Sequence, residues 1–459
     1  LVILPMGCAD VSGMAGNAMR NFRFGALFSA RGVFALVFFY SLSVGLLIQL
    51  VILPFWMPAL DAGHGLLKGG DWIWFHREAV QLAERIRQEG WAVWQLRPHG
   101  NAPIGIAAAA YALIGMSEPW VLMPLNAGLF AICATCFYLM FTLVAPRQLA
   151  FAATVPYVFF PSAVMIFGQI HKDVWSIAGF SLIALVWARF AAHTAPGWKD
   201  VALQVMLALS GELLIWLVRP YLVEVVLAAS VLTVSVIAVR AVFTRGVGPR
   251  HSLQWWIGIA ASITLLVTCV WLPTGNQGTK ISERRANLVW SRTDLIPASA
   301  DIALSKLGGS RRGFTEGYPN AGSNIDTEVQ FHSAADVVKY IPRALAIGLF
   351  SPFPNMWSET GVSPGAERMR LLAGIETVFA YLALPGVLLL FIRRGPHGTT
   401  TVLLIQAVVP LIVLALIVSN VGTLYRMRYG YWQMLIGLGM IGWGMWRRKW
   451  DTKYRRNSR

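Results

Sequence analysis

The chain has 459 residues, of which 56% are hydrophobic and only 13% charged, with a mean hydropathy of +0.58. A soluble domain carries about 25% charged residues, so this composition excludes an ordinary soluble enzyme and describes an integral membrane protein. The formal charge of +16 fits basic cytoplasmic loops and anionic lipid headgroups; without a basic stripe interleaved with aromatics on a soluble domain, it does not describe a nucleic-acid binder.

In chain order, the opening "LVILPMGCAD" is too short and wrongly flanked to be a signal peptide, so the first span is expected to act as an uncleaved signal. The apolar segments that follow are continuous runs of about 20 residues, as helices need, and not the alternating runs of about 10 that build barrels. Ten spans are predicted, at 32–58, 120–144, 149–167, 174–194, 200–218, 221–243, 253–273, 370–392, 399–420 and 429–446. The expected fold is an all-α polytopic membrane protein with about ten transmembrane helices, interfacial helices and a small extracytoplasmic cap. Its parts are a cytoplasmic N-terminus and first span (1–58), an outer loop (59–119), spans two to seven (120–273), an outer cap (274–369), spans eight to ten (370–446) and a basic tail (447–459).

Charge orients these spans. Arg20, Arg23, Arg31, Arg147, Lys199, Arg240, Arg245, Arg250, Arg393, Arg394 and the tail "RRKWDTKYRRNSR" all fall on one side, which the positive-inside rule makes cytoplasmic. The other side receives both long loops, the turn "GQIHKD", Arg219-Pro220 and "GTLYRMRYG". "WIWFHREAVQLAERIRQEGW" places Val80, Leu82, Ala83 and Ile86 opposite its charges, an amphipathic helix expected to lie at the interface. "PIGIAAAAYALIGM" is too short to cross and reads as a second interfacial or re-entrant helix. "LGGSRRGFTEGYPNAGSNID" reads as polar, Gly-rich turns, followed by an amphipathic stretch, "AADVVKYIPRALAIGLF". Cys133 and Cys136 form a CxxC inside an apolar run, where small packing residues are expected and not a redox or zinc site.

The outer face gathers Asp61, His64, Asp71, His76 and Glu78, then Arg97, His99 and Asn101. To these it adds His171, Lys172, Asp173, Arg219, Arg311, Arg312, Arg426 and Arg428. A carboxylate can take a proton from an acceptor hydroxyl, and arginine or lysine can hold a phosphate. Each residue also has a plainer reading. Asp71 is placed to cap the helix after it, and Asp61 to end the first span. His76 reads as a surface residue, Lys172 and Asp173 as an interfacial ion pair. Arg219, Arg426 and Arg428 read as lipid anchors. The His and Asp residues are not spaced as a ligand set, so no cofactor is assigned and a divalent metal is left open.

"LDAGHGLLKGGDWIWFHREAVQLAERIRQEGW" resembles the first outer loop of the GT-C superfamily of polytopic glycosyltransferases, whose loop after the first span carries an acidic motif. "RPHGNAPIGIAAAAYALIG" resembles their next element. "PSAVMIFGQIHKD", "VRPYL", "YIPRALAIGLFSPFP" and "GTLYRMRYG" resemble stretches of exopolysaccharide-cluster membrane proteins. The adjacent Asp-Glu pair and full His-Pro-Pro-Leu turn of some members are absent. The resemblance implies transfer from a polyprenyl-phosphate-sugar donor to a glycan or lipid-linked acceptor, at the extracytoplasmic face of a bacterial inner membrane. By position it implies Asp71 as base, with Asp61 second, and Arg219, Lys172 and Arg426 for phosphate. An O-antigen-type polymerase or ligase fits Arg311 and Arg312 in the later loop. A transporter predicts polar residues inside spans and paired interrupted helices; few ionisable residues fall mid-span, Glu212 and Glu224 being the exceptions.

Overall fold

Hydrocarbon offers a backbone no water to bond, so apolar runs fold as helices that satisfy their own N–H and C=O groups. The computed structural model describes residues 28–193, 195–243, 252–272, 289–317, 319–358, 366–395 and 398–457. The early basic residues Arg20 and Arg23, with Cys8, Arg245 and Arg250, lie outside them. Among the described residues the protein is all-α, with isolated bridges in place of strands. Eight helices among the described residues are long and apolar enough to cross a membrane, which makes it a multi-pass membrane protein.

Helix α1 (Ala30–Leu47) runs into a π-helical segment, Ile48–Trp56, that contains Pro54, giving a first span of 27 residues. Helices α2 (Trp72–Glu89) and α3 (Ala102–Ile114) follow. The two pack on each other. Trp72, Phe75, Leu82 and Ile86 of α2 are buried with Ile104, Ala107, Ala108 and Tyr111 of α3 in a core of their own. The apolar stripe of α2 is covered by a partner helix and not by lipid.

Helix α4 (Met123–Thr142) is a span; the predicted span at 149–167 is not one helix. It breaks into α5 (Arg147–Phe159) and α6 (Ala163–Phe167). Phe160 precedes Pro161 and is extended, as the proline ring requires of its neighbour. Between α1 and α5 runs an apolar cleft lined by Val33, Val37, Tyr40, Phe151, Val158 and Phe159. Helices α7 (Asp173–Ala192), α8 (Trp198–Val218), α9 (Pro220–Phe243) and α10 (Leu253–Val270) are spans. Gly179 of α7 and Gly211 of α8 let two backbones meet: a Cβ on Gly211 would sit 2.6 Å from the Gly179 carbonyl oxygen.

The segment read as Gly-rich turns is largely helix α11 (Ala298–Gly317), whose Gly308 lies against Phe331 and Trp290. Burial of that face overrides the weak helix propensity of glycine. Helix α12 (Ala334–Phe350) is amphipathic as expected, and its inner face meets Leu411. Helices α13 (Ala366–Ala383) and α14 (Pro385–Arg394) together make a span, and α15 (Gly398–Ile417) makes another. A short α16 (Val421–Met427) leads to α17 (Tyr429–Asn457). The stretch predicted to cross at 429–446 lies in α17, but α17 is not among the eight helices long and apolar enough to cross a membrane. Its Tyr429, Tyr431, Trp432 and Gln433 are buried by neighbouring helices, so it needs little lipid-facing apolar surface.

One end of the bundle collects the loops. Gln169 accepts from the Leu67 N–H at 3.2 Å, Lys306 reaches Glu224 at 3.2 Å, and Asn420 donates to Asn324 at 3.1 Å. Arg393 stacks on Trp446 at the other end.

Candidate functional site

The turn between α6 and α7 carries "GQIHKD", and its backbone is buried. Two side-chain amides satisfy it. Gln49 Nε2 donates to the Gly168 carbonyl at 2.7 Å, and Asn126 Nδ2 donates to those of Phe167 (3.1 Å) and Gln169 (3.0 Å). The turn is therefore fixed by the π-helical segment after α1 and by α4 before any ligand is considered.

His171 and Asp173 are buried within the bundle and are not exposed at its surface. They are 4% and 1% exposed. His171 Nδ1 is 2.8 Å from Asp173 Oδ2, and Arg219 donates through Nη2 to Asp173 Oδ1. Arg219 occupies the joint where α8 ends and Pro220 begins α9, and its Nη1 lies 3.0 Å from the Tyr221 hydroxyl. From α16, Arg426 Nη1 approaches His171 Nε2 at 2.8 Å. The Trp72 ring covers this group, 5.6 Å from the His171 ring and 6.0 Å from the Arg426 guanidinium.

A neutral imidazole has one N–H, and this network assigns it to Nδ1, donating to the carboxylate. The Asp173 N–H also lies 3.1 Å from Nδ1, but a protonated nitrogen cannot accept it, and the carboxylate is the stronger partner. Nε2 then accepts from Arg426. Burial holds His171 below its ordinary range, although Asp173 opposes this. Lys172 is brought down to about 8 by burial and by Arg219, with Asp71 and Asp173 opposing. Burial also works against the Arg219 charge, but Asp173 and Tyr221 hold it above the usual arginine range. Arg219, Arg426 and Lys172 thus face two carboxylates, Asp173 and Asp71. The arrangement leaves a surplus of positive charge suited to an anion.

The remaining predicted residues divide. Asp71 is exposed and electrostatically close to Lys172, and its side chain does not cap α2, contrary to the capping expectation. Asp61 accepts from the Gly63 N–H at 3.0 Å in a local turn. Arg97 donates to the Trp216 carbonyl and stacks on that indole at 3.7 Å, bolting the first loop to α8. His99 is exposed and meets Glu78 at 3.4 Å. Arg311 donates to the carbonyls of Val329 (2.9 Å), Leu416 (3.2 Å) and Asp326 (2.6 Å). Arg428 donates to those of Ile347 (3.1 Å), Gly348 and Ser351. Both are buried pins of backbone, so the anchor reading of Arg428 does not hold. Arg312 pairs with Glu316 one helical turn away, at 2.6 Å. His76, read as a surface residue, is 8% exposed and 3.0 Å from the Tyr111 hydroxyl.

One buried carboxylate escapes the sequence reading. Glu376 on α13 accepts from the Ser162 N–H (2.7 Å), the Ser162 hydroxyl (2.6 Å) and the Tyr425 hydroxyl. It ties the break between α5 and α6 to α16, the helix that carries Arg426. A lone Glu in "LLAGIETVFAYLALPG" was the available signal. Among the described residues, no group of three or more His, Cys, Asp or Glu is placed to hold a metal ion. Comparison with known proteins gives no match: no protein family, no characterised protein and no solved structure is significantly similar to the chain.

Proposed function

We propose that the protein is a membrane glycosyltransferase of the bacterial inner membrane. It moves a sugar from a polyprenyl-phosphate-linked donor to a lipid-linked glycan or other extracytoplasmic acceptor during cell-envelope polysaccharide synthesis. One observation carries the reading: Arg219, Arg426 and Lys172 converge on a buried turn, with the unbonded carboxylate of Asp71 beside Lys172. A phosphate held by Lys172 and Arg426 would put the bond to the sugar near Asp71, which serves as base for the acceptor hydroxyl. The resemblance of the first loop to GT-C enzymes points the same way. The polymerase or ligase reading drew on Arg311 and Arg312, and those side chains are engaged by backbone carbonyls and by Glu316.

The test is transfer of labelled sugar from a polyprenyl-phosphate donor by purified protein in lipid. Asp71→Asn keeps the shape and removes the base, so turnover is expected to fall by about 100-fold or more. Lys172→Gln is expected to raise the donor concentration needed for half-maximal rate. Near-normal turnover in Asp71→Asn removes Asp71 as base and makes Asp61 the residue to test. No transfer by the wild-type protein from any such donor sinks the glycosyltransferase reading.

A further inference from the structure

One contact in the buried cluster does not suit its partners. Arg426 Nη1 points at His171 Nε2 from 2.8 Å, so a full positive charge rests on a neutral nitrogen. Bonds from a guanidinium to a phosphate or carboxylate are roughly twice as strong as bonds between neutral groups. The other face of the imidazole is committed, with Nδ1 on Asp173 at 2.8 Å. Arg426 is half-buried and Lys172 likewise, while His171 lies beneath them. An arriving anion therefore meets the two cations first.

We propose that a phosphate anion draws Arg426 off His171, and that His171 then binds and keeps a proton at Nε2, the imidazolium N–H donating a hydrogen bond to a phosphate oxygen. One negative and one positive charge enter together. The net charge of a water-poor site is unchanged, which lowers the desolvation penalty of placing an anion there. Asp173 is already positioned to support the imidazolium. The inference rests on the phosphate reading of the cluster and assigns His171 the proton that moves with the ligand.

The groups facing His171 fix the sign. Asp173 approaches from α7, Arg219 from the α8–α9 joint, Arg426 from α16, and Lys172 from its own turn, with Asp71 beyond it. Tyr221 and Tyr431 stand near Arg219. In the free protein, burial and the two arginines keep His171 neutral against the pull of Asp173. Moving Arg426 away and bringing an anion in both favour the protonated form. Proton affinity is then higher in the complex than in the free protein, so binding takes up a proton and strengthens as pH falls between the two values. Burial and Arg219 bring Lys172 down only to about 8, so it is charged at the pH where this proton is taken up.

The probe is methyl farnesyl phosphate, a diester whose single charge does not titrate in this range. Calorimetry on the whole chain in phosphatidylcholine nanodiscs, in two buffers of different protonation enthalpy near pH ~6.5, counts protons taken up per ligand. The expected count approaches one, with affinity rising toward about tenfold per pH unit as pH falls. His171→Gln is expected to bind the diester with no proton uptake and a flat pH profile. Arg426→Gln gives a second readout, since it unmasks Nε2 before ligand arrives and lowers the uptake well below the wild-type count. A wild type that binds without proton uptake, or a His171→Gln protein that keeps the pH slope, overturns the inference. A wild type that does not bind the diester at any pH overturns the phosphate reading itself.

Discussion

At the scale of single residues, burial separates side chains that a sequence cannot tell apart. Lys172 and Arg219 were equal candidates for phosphate, but Arg219 is committed to Asp173, which is 1% exposed. Removing one member of such a pair strands the other charge and costs about 3–5 kcal/mol. Arg219→Ala is therefore expected to lower the melting midpoint sharply and to reduce the folded yield, and Asp173→Ala to do the same. Lys172→Ala, beside a solvent-facing carboxylate, is expected to melt near the wild type. A second expectation concerns pH. Burial first, and the neighbouring His64 second, lower the His76 pKa from 6.5 to about 4, with Glu118 opposing. The unfolded chain binds that proton below about 6.5, while the folded chain refuses it until about 4. Stability contributed by neutral His76 is thus present above about 6.5 and lost as pH falls toward 4. The difference in melting midpoint between wild type and His76→Gln should shrink across that window; a constant difference would show that His76 takes up its proton alike in the folded and unfolded chain.

At the scale of elements, the spans were legible because hydrocarbon leaves an apolar run little choice but a helix. Most predicted spans recur within a few residues. The failures have local causes. Residues 149–167 are largely apolar, and hydropathy is blind to Pro161, which holds Phe160 extended and divides them into α5 and α6. Residues 307–317 look like turns until Gly308 is seen to admit Phe331 and Trp290. The site was half legible. "HKD" was singled out by its polarity, but its depth depends on Arg426, 255 residues later in the chain, and no local pattern encodes that contact. Glu376 went unread for the same reason. The α7–α8 contact supports a further expectation, because it ends at the Asp173–Arg219 pair. A side chain at Gly211 meets a backbone carbonyl, which cannot rotate away. Gly211→Val should destabilise by about 1–3 kcal/mol, and more than Ser210→Ala on the exposed side of the same helix. Equal melting of the two variants would show that these backbones are not in contact.

At the scale of the whole molecule, the two long loops gather at one end of the bundle. Arg147, Lys199, Arg240, Arg393 and Arg394 fall at the other. The expected orientation follows from charge. In a Cys8→Ser background, a cysteine replacing exposed Ser299 should react with an impermeant maleimide on intact cells. One replacing exposed Lys199 should react only after lysis. The native Cys133, Cys136 and Cys269 are buried and should stay silent. Labelling of position 199 in intact cells would invert the topology.

The cleft between α1 and α5 joins two helices of very unequal length. The first span has 27 residues and α5 only 13, or about 40 Å against about 20 Å at 1.5 Å per residue. A hydrocarbon slab of about 30 Å matches neither. Lipids along this flank must stretch beside one wall and compress beside the other, or the long helix must lean, and each choice stores elastic energy of fractions of a kcal/mol per Å. The thickness of the host membrane thus acts on the fold at the very flank where the chain breaks to lower its polar turn toward the bundle.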